Sequence, residues 1–309
     1  MGAIDPLRSP GITLAAMHGE QSPGESMTYG GYLHLDEILS AQRPLSDAPD
    51  ELLFIIQHQT SELWMRLVIR ELDLARQAMA EDRLEPTFKM LSRVSRIFEQ
   101  LNSAWDVLRT MTPSEYSHFR DALGGSSGFQ SFQYREIEFA LGNRSAAMVA
   151  VHDGQPEVVE RLTAELARRS LYDEALALCH RAGLLVPIEV LERELAEPHQ
   201  SNDDVVEMWR QVYADPERWW SEYQLAEKLV DLEDYVRRWR FNHVTTVERV
   251  IGMKTGTGGT NGVDYLRRNA RGRTVPRPLA RPYGALTSQD SRNRGVAHFG
   301  DAFSHPSPP

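Results

Sequence analysis

Apolar residues recur at three- and four-residue intervals along most of the chain, the spacing of helices that bury one face. Leu52, Leu53, Ile56, Leu63, Leu67 and Leu74 mark a long amphipathic helix over about residues 49–81. Phe88, Leu91, Val94, Phe98, Leu101, Trp105 and Leu108 mark a second, starting at Pro86. Thr112, Pro113, Ser114 and Glu115 open a third with a capping box and a proline at the first helical position, and Gly124-Gly125 stops it. A fourth is predicted over about residues 129–141, ending at Gly142-Asn143, and a more charged pair lies between about 156 and 196. The last long helix starts at Asp215-Pro216. It carries Leu225, Leu229, Leu232, Val236, Trp239, His243 and Val250 at helical spacing, with Gly252 as its stop. No segment alternates with a period of two, and no repeat is visible. The predicted class is all-α, a helical bundle with an inserted helical pair at about 150–200.

The ends of the chain lack this periodicity. Residues 1–26 are rich in Gly, Pro and Ser and read as a flexible N-terminal arm. Residues 269–309 are Arg- and Pro-rich and read as an atypical, disordered tail, which leaves 27–268 as the folded domain. Codons for Asn269 through Leu286 can be chosen so that a one-base shift reads TLEDVLFPDLWRVRTAL and then a stop. We therefore take a frameshift near Arg268 as the tail's origin. The glycine-rich run Gly256, Thr257, Gly258, Gly259, Thr260 follows a helix and has no Lys-Ser/Thr partner. It reads as a mobile or ligand-covering loop and not as a phosphate loop.

Composition narrows the function. Hydrophobic residues make up 41% of the chain, enough for a sizeable core. The net charge of -10 argues against broad binding to nucleic acid or an anionic membrane. Cys179 is the single cysteine, so no internal disulfide can form, which fits a reducing compartment. No apolar run approaches the roughly 20 residues that span a bilayer. The short apolar run at 12–17, with only Arg8 before it as a basic residue, is no signal peptide. A soluble, cytoplasmic protein is expected.

Three polar sites stand out within the helical pattern. Phe54, His58 and Glu62 share one helix face, where His58 reads as a proton partner, a metal ligand or a core histidine. Tyr116 and Arg120 are also four apart. An inward Arg there suits a carboxylate, and an outward one pairs with Asp121 or Glu115. His243 lies on the apolar stripe of the last helix, where a neutral imidazole serves either as a structural group or as a ligand to haem iron. No HExxH or CxxC spacing supports zinc, and the absence of CxxCH excludes covalently attached haem. Trp219 and Trp220 read as core or interface residues.

Four ordered blocks carry a specific resemblance: MTYGGYLHLDEIL (27–39), ELLFIIQHQTSELWMRL (51–67), MTPSEYSHFRDALGGSSGFQSFQYREIEFALGN (111–143) and WRFNHVTTVERVIGMKTGTGGTNGVDYLR (239–267). Together they resemble the haem-dependent tryptophan 2,3-dioxygenases over about residues 27–268. The resemblance implies a haem b enzyme, ferrous when active, that inserts both atoms of O2 across the indole C2–C3 bond of L-tryptophan. The product is N-formylkynurenine, in the first step of tryptophan catabolism by the kynurenine pathway. It assigns His243 to the iron, His58 to the distal side near the indole nitrogen, and Arg120 to the substrate carboxylate. Thr257 matches a loop residue at the substrate's ammonium and carboxylate groups. Phe54 and Tyr116 match the pocket wall, Ser127 a distal-side polar residue and Trp105 a proximal-side aromatic. Tyr29 and Tyr32 match aromatics that the family contributes from a neighbouring subunit of a homotetramer. The alternative is a haem-binding protein without turnover, a sensor or an inactivated enzyme.

Overall fold

The computed structural model describes residues 27–251, so the N-terminal arm, the Gly252 stop, the 256–260 loop with Thr257, and the 269–309 tail lie outside the described residues. The chain divides into two units, one up to Arg43 and one from Pro44. In the first, α1 (Tyr29–Leu33) and α2 (Leu35–Leu39) are single helical turns separated by His34, whose left-handed backbone (φ 50°) breaks the run. The Thr28 hydroxyl caps α1 by accepting from the Gly31 amide at 3.1 Å. Tyr29 and Tyr32 are exposed.

The second unit is built on a long hairpin, α3 (Asp50–Ala80) and α4 (Leu84–Leu108). Its start is held by Glu51, a buried carboxylate that accepts from the Leu45 and Ser46 amides at 2.8 Å each. The α4 core face is the one its periodicity predicts: Leu91, Val94, Phe98, Leu101, Trp105 and Leu108 are all buried. On α3 the prediction needs correction. Leu52, Ile56 and Leu63 are exposed, and the buried face is instead Met65, Val68, Ile69, Leu72, Ala75 and Met79. Both sets are apolar at helical spacing, so periodicity alone does not say which one the core takes.

α5 (Pro113–Phe119) starts as predicted. Thr112 accepts from the Glu115 amide, the Glu115 carboxylate accepts from the Thr112 amide at 2.7 Å, and Pro113 takes the first helical position. A 3-10 turn, Arg120–Leu123, follows and ends at Gly124, whose φ of 55° and ψ of −123° are open to glycine alone. The fourth predicted helix begins three residues late. Residues 128–130 form a separate 3-10 turn capped by Ser127, and Ser131 caps a fresh helix, α6 (Phe132–Leu141). Two serine caps in five residues split what periodicity joins.

The charged pair is α7 (Pro156–Leu166) and α8 (Leu171–Arg181). α8 gives Leu171, Tyr172, Ala175, Leu176, Leu178 and Cys179 to the main core, whereas Leu162 and Leu166 of α7 form a satellite cluster with Phe139. A short α9 (Ile188–Leu191) precedes α10 (Asp203–Ala214), a helix that the sequence reading left unmarked. The last helix, α11 (Trp220–Val250), starts five residues after Asp215 and lies along α4. Among the described residues no strand occurs, and no helix is long and apolar enough to cross a membrane. The all-α class holds.

Candidate active site

α3, α4, α5, α11 and the loop at 126–131 enclose one largely apolar cavity within the second unit. Phe54 and Tyr116 form part of its wall, with ring centroids 6.1 Å apart and Phe119 behind them at 5.6 Å from Phe54. His58 lies one turn after Phe54 and also faces the cavity. Its Nδ1 is 2.7 Å from the Phe54 carbonyl oxygen. A carbonyl accepts only, so Nδ1 carries the proton and Nε2 keeps a lone pair. Burial holds the His58 pKa below the ordinary value, against the opposing effects of the Phe54 carbonyl and the Glu62 charge, and the ring is neutral at pH 7.

His243 faces the same cavity from α11. The indole of Trp105 stacks on its imidazole at 4.9 Å and 15°, and Trp239 lies 5.4 Å from the imidazole and 5.6 Å from Trp105. Desolvation, helped by the charges of His58 and Arg135, pushes the His243 pKa down to about 4. The imidazole is therefore neutral, and among the described residues neither ring nitrogen has a hydrogen-bond partner. A neutral, unencumbered imidazole against an aromatic plane is the donor that a haem iron takes. Trp105 Nε1 is likewise buried without a partner.

Ser127 also lines the cavity. Its hydroxyl accepts from the Phe129 amide at 3.3 Å, which leaves its own proton free to donate. Arg120 does not line the cavity. Its guanidinium bonds the Tyr116 hydroxyl, and the Glu115 carboxylate accepts from the Thr112 amide in the capping box. Tyr29 and Tyr32 lie in the N-terminal unit. The structure also brings in residues that the sequence reading passed over. Met65, Arg135 and Arg240 line the cavity, as does Tyr134. Arg240 donates from Nε to the Tyr134 hydroxyl at 2.9 Å and pairs with the buried Glu138. Arg135 pairs with the same carboxylate. Their signal in the sequence was a cation or a tyrosine on an otherwise apolar helix face, which is weak by itself.

A sequence model of the family described as tryptophan 2,3-dioxygenase matches residues 15–166 and 159–276. The chain belongs to the tryptophan 2,3-dioxygenase family. A tryptophan 2,3-dioxygenase of Bradyrhizobium diazoefficiens is 65% identical over 242 residues, covering 78% of this chain and 87% of the relative. That of Ruegeria pomeroyi is 61% identical over 251 residues, 81% of this chain and 90% of its own length. That of Bordetella parapertussis is 56% identical over 257 residues, with 82% and 90% covered. This tryptophan 2,3-dioxygenase family member places His58 and His243 on one cavity.

Proposed function

We propose that this chain is a haem b dioxygenase that converts L-tryptophan and O2 to N-formylkynurenine. The observation that carries the reading is the pairing of two neutral histidines on one apolar cavity, His243 with no hydrogen-bond partner among the described residues and His58 with its Nδ1 committed to the Phe54 carbonyl. Family membership supplies the reaction class. The residues present fit the cofactor. His243 is the iron ligand, Trp105 and Trp239 pack against it, and Arg135 and Arg240, which share the Glu138 carboxylate, give the same cavity one net positive charge that would suit the haem's carboxylates. Bound ferrous haem supplies the activation of O2 that no side chain provides.

The chain's own residues bind and orient the substrate. Phe54 and Tyr116 pack the indole. His58 Nε2 accepts from the indole N–H and so fixes which edge of the ring faces the haem; indole N–H is too weak an acid for His58 to serve as an obligatory base. Arg120 pairs the substrate carboxylate, with Thr257 at the substrate's ammonium and carboxylate groups. Ser127 donates into the distal side. The cleaved bond is indole C2–C3, and each carbon takes one oxygen, so O2 is consumed whole with no external reductant.

The exposed Leu52, Ile56 and Leu63 form an apolar stripe along α3 that supports assembly into a homotetramer, with Tyr29 and Tyr32 reaching a neighbouring subunit's site. Cytoplasmic location follows from the same reading. The test is direct: load the protein with haem, reduce it without air, add L-tryptophan and then O2, and follow formylkynurenine absorbance. Product formation is expected. A coloured protein that makes none would instead support binding without turnover, and a colourless one would overturn the haem assignment.

A further inference from the structure

His243 is set on α11 by a polar clamp that α4 supplies. Asn102, Trp105 and Arg109 recur at three- and four-residue spacing and therefore share one face of α4. Trp105 stacks on His243, and the two polar residues grip the turn around it. Asn102 accepts from Asn242 Nδ2 at 2.9 Å and donates to the Tyr235 carbonyl at 3.2 Å. Arg109 does more. Its Nη2 reaches the Asn242 carbonyl and side-chain oxygens, both at 3.1 Å, and the Thr245 hydroxyl at 2.6 Å. Its Nε donates to the Thr246 hydroxyl at 2.8 Å. The Thr245 and Thr246 hydroxyls in turn donate to the Asn242 carbonyl at 3.1 and 2.7 Å, which orients both to accept from the guanidinium. Arg249 closes the loop by donating to the Arg109 carbonyl at 3.1 Å.

A surface ion pair is the alternative role for Arg109. Its only carboxylate contact in the described residues is Asp106 at 3.3 Å, whose side chain is 77% exposed. Such a pair is worth little. The shorter bonds go to neutral oxygens of a single helical turn, and that turn begins at the residue before His243. We propose that Arg109 is a positioning residue for His243, locking turn 242–246 of α11 against α4 so that the imidazole keeps a fixed height and rotation beneath Trp105. A planar fork holds a backbone carbonyl and two hydroxyls in a fixed geometry; a lysine ammonium on a flexible stem holds them loosely.

The inference rests on His243 as the iron ligand, and the experiment separates the two. Resonance Raman of the ferrous haem protein reads the iron–histidine stretching band, and haem transfer to apomyoglobin reads cofactor release. In Arg109→Met the band shifts and haem release quickens about tenfold, with helix content kept. Arg109→Lys recovers part of both, and kcat falls while KM for L-tryptophan holds. A lower melting temperature with the band and the release rate at wild-type values would reduce Arg109 to a packing residue and overturn the proposal. If Arg109→Met does not fold, Thr245→Val carries the same test with a smaller expected shift, and an unmoved band there overturns it equally. A wild-type band that survives His243→Gly overturns the ligand assignment itself.

Discussion

Protonation state decides what the two cavity histidines do. His58 is held as the Nδ1–H tautomer by the Phe54 carbonyl at 2.7 Å, so its free nitrogen accepts a hydrogen bond. Protonating that nitrogen removes the acceptor. Because burial depresses the His58 pKa below the usual 6.5, kcat/KM should hold through neutrality and fall only as pH drops below the ordinary histidine range. A pH–rate profile of wild type against His58→Ala checks this, since the variant should lose that acid limb. Arg120 poses a different question. Its guanidinium bonds the Tyr116 hydroxyl, and a guanidinium has further N–H donors for a carboxylate that reaches it. Arg120→Met should cost about 2–4 kcal/mol of transition-state binding, read as a drop in kcat/KM for L-tryptophan. A Tyr116→Phe variant should keep the pairing and most of the rate.

At the scale of elements, caps and buried guanidiniums fix what periodicity cannot. Arg144 donates to the Glu165, Leu166 and Arg168 carbonyls at 3.2, 2.5 and 2.6 Å, satisfying groups orphaned at the end of α7. Desolvation brings its pKa down to about 10, still fully charged at neutral pH. Thr112→Ala removes half of the α5 capping box and should cost about 1 kcal/mol of stability in urea titration. Helix existence was legible because α4 and α11 repeat one apolar face over seven or more positions. The boundaries were less so. The start of α6 at Phe132 depends on Ser131 turning its hydroxyl to the Tyr134 amide, and α10 buries only Val205, Met208, Trp209 and Val212 beneath a mostly polar outer face. The site was legible only in part. His58, His243, Phe54, Tyr116 and Ser127 came through the motif blocks and Trp105 through the wider resemblance, and all six meet on one cavity, whereas Arg240 and the Arg109 clamp act through partners distant in sequence, which spacing cannot show.

The whole molecule ties these elements with buried charge. Asp173 accepts from Ser170 and Arg193 and meets His199 at 2.8 Å. Burial alone would raise its pKa, but those partners outweigh burial and hold it far below the usual carboxylate range; Glu51 is lowered for the same kind of reason. A depressed folded-state pKa stabilises above the unfolded value and is lost as pH falls below it. The urea midpoint should therefore drop as pH falls from about 4, and Asp173→Asn should flatten that acid limb while lowering stability at pH 7. Assembly has its own handle. Leu52→Asp with Ile56→Asp, both on exposed positions of α3, should reduce a tetramer to smaller species in sedimentation without loss of helix content. The account turns most directly on His243, and the visible spectrum of haem-loaded His243→Ala, recorded beside its turnover of L-tryptophan, tests it. Loss of the wild-type haem bands and of formylkynurenine formation is the result predicted; bands and turnover equal to wild type would contradict it.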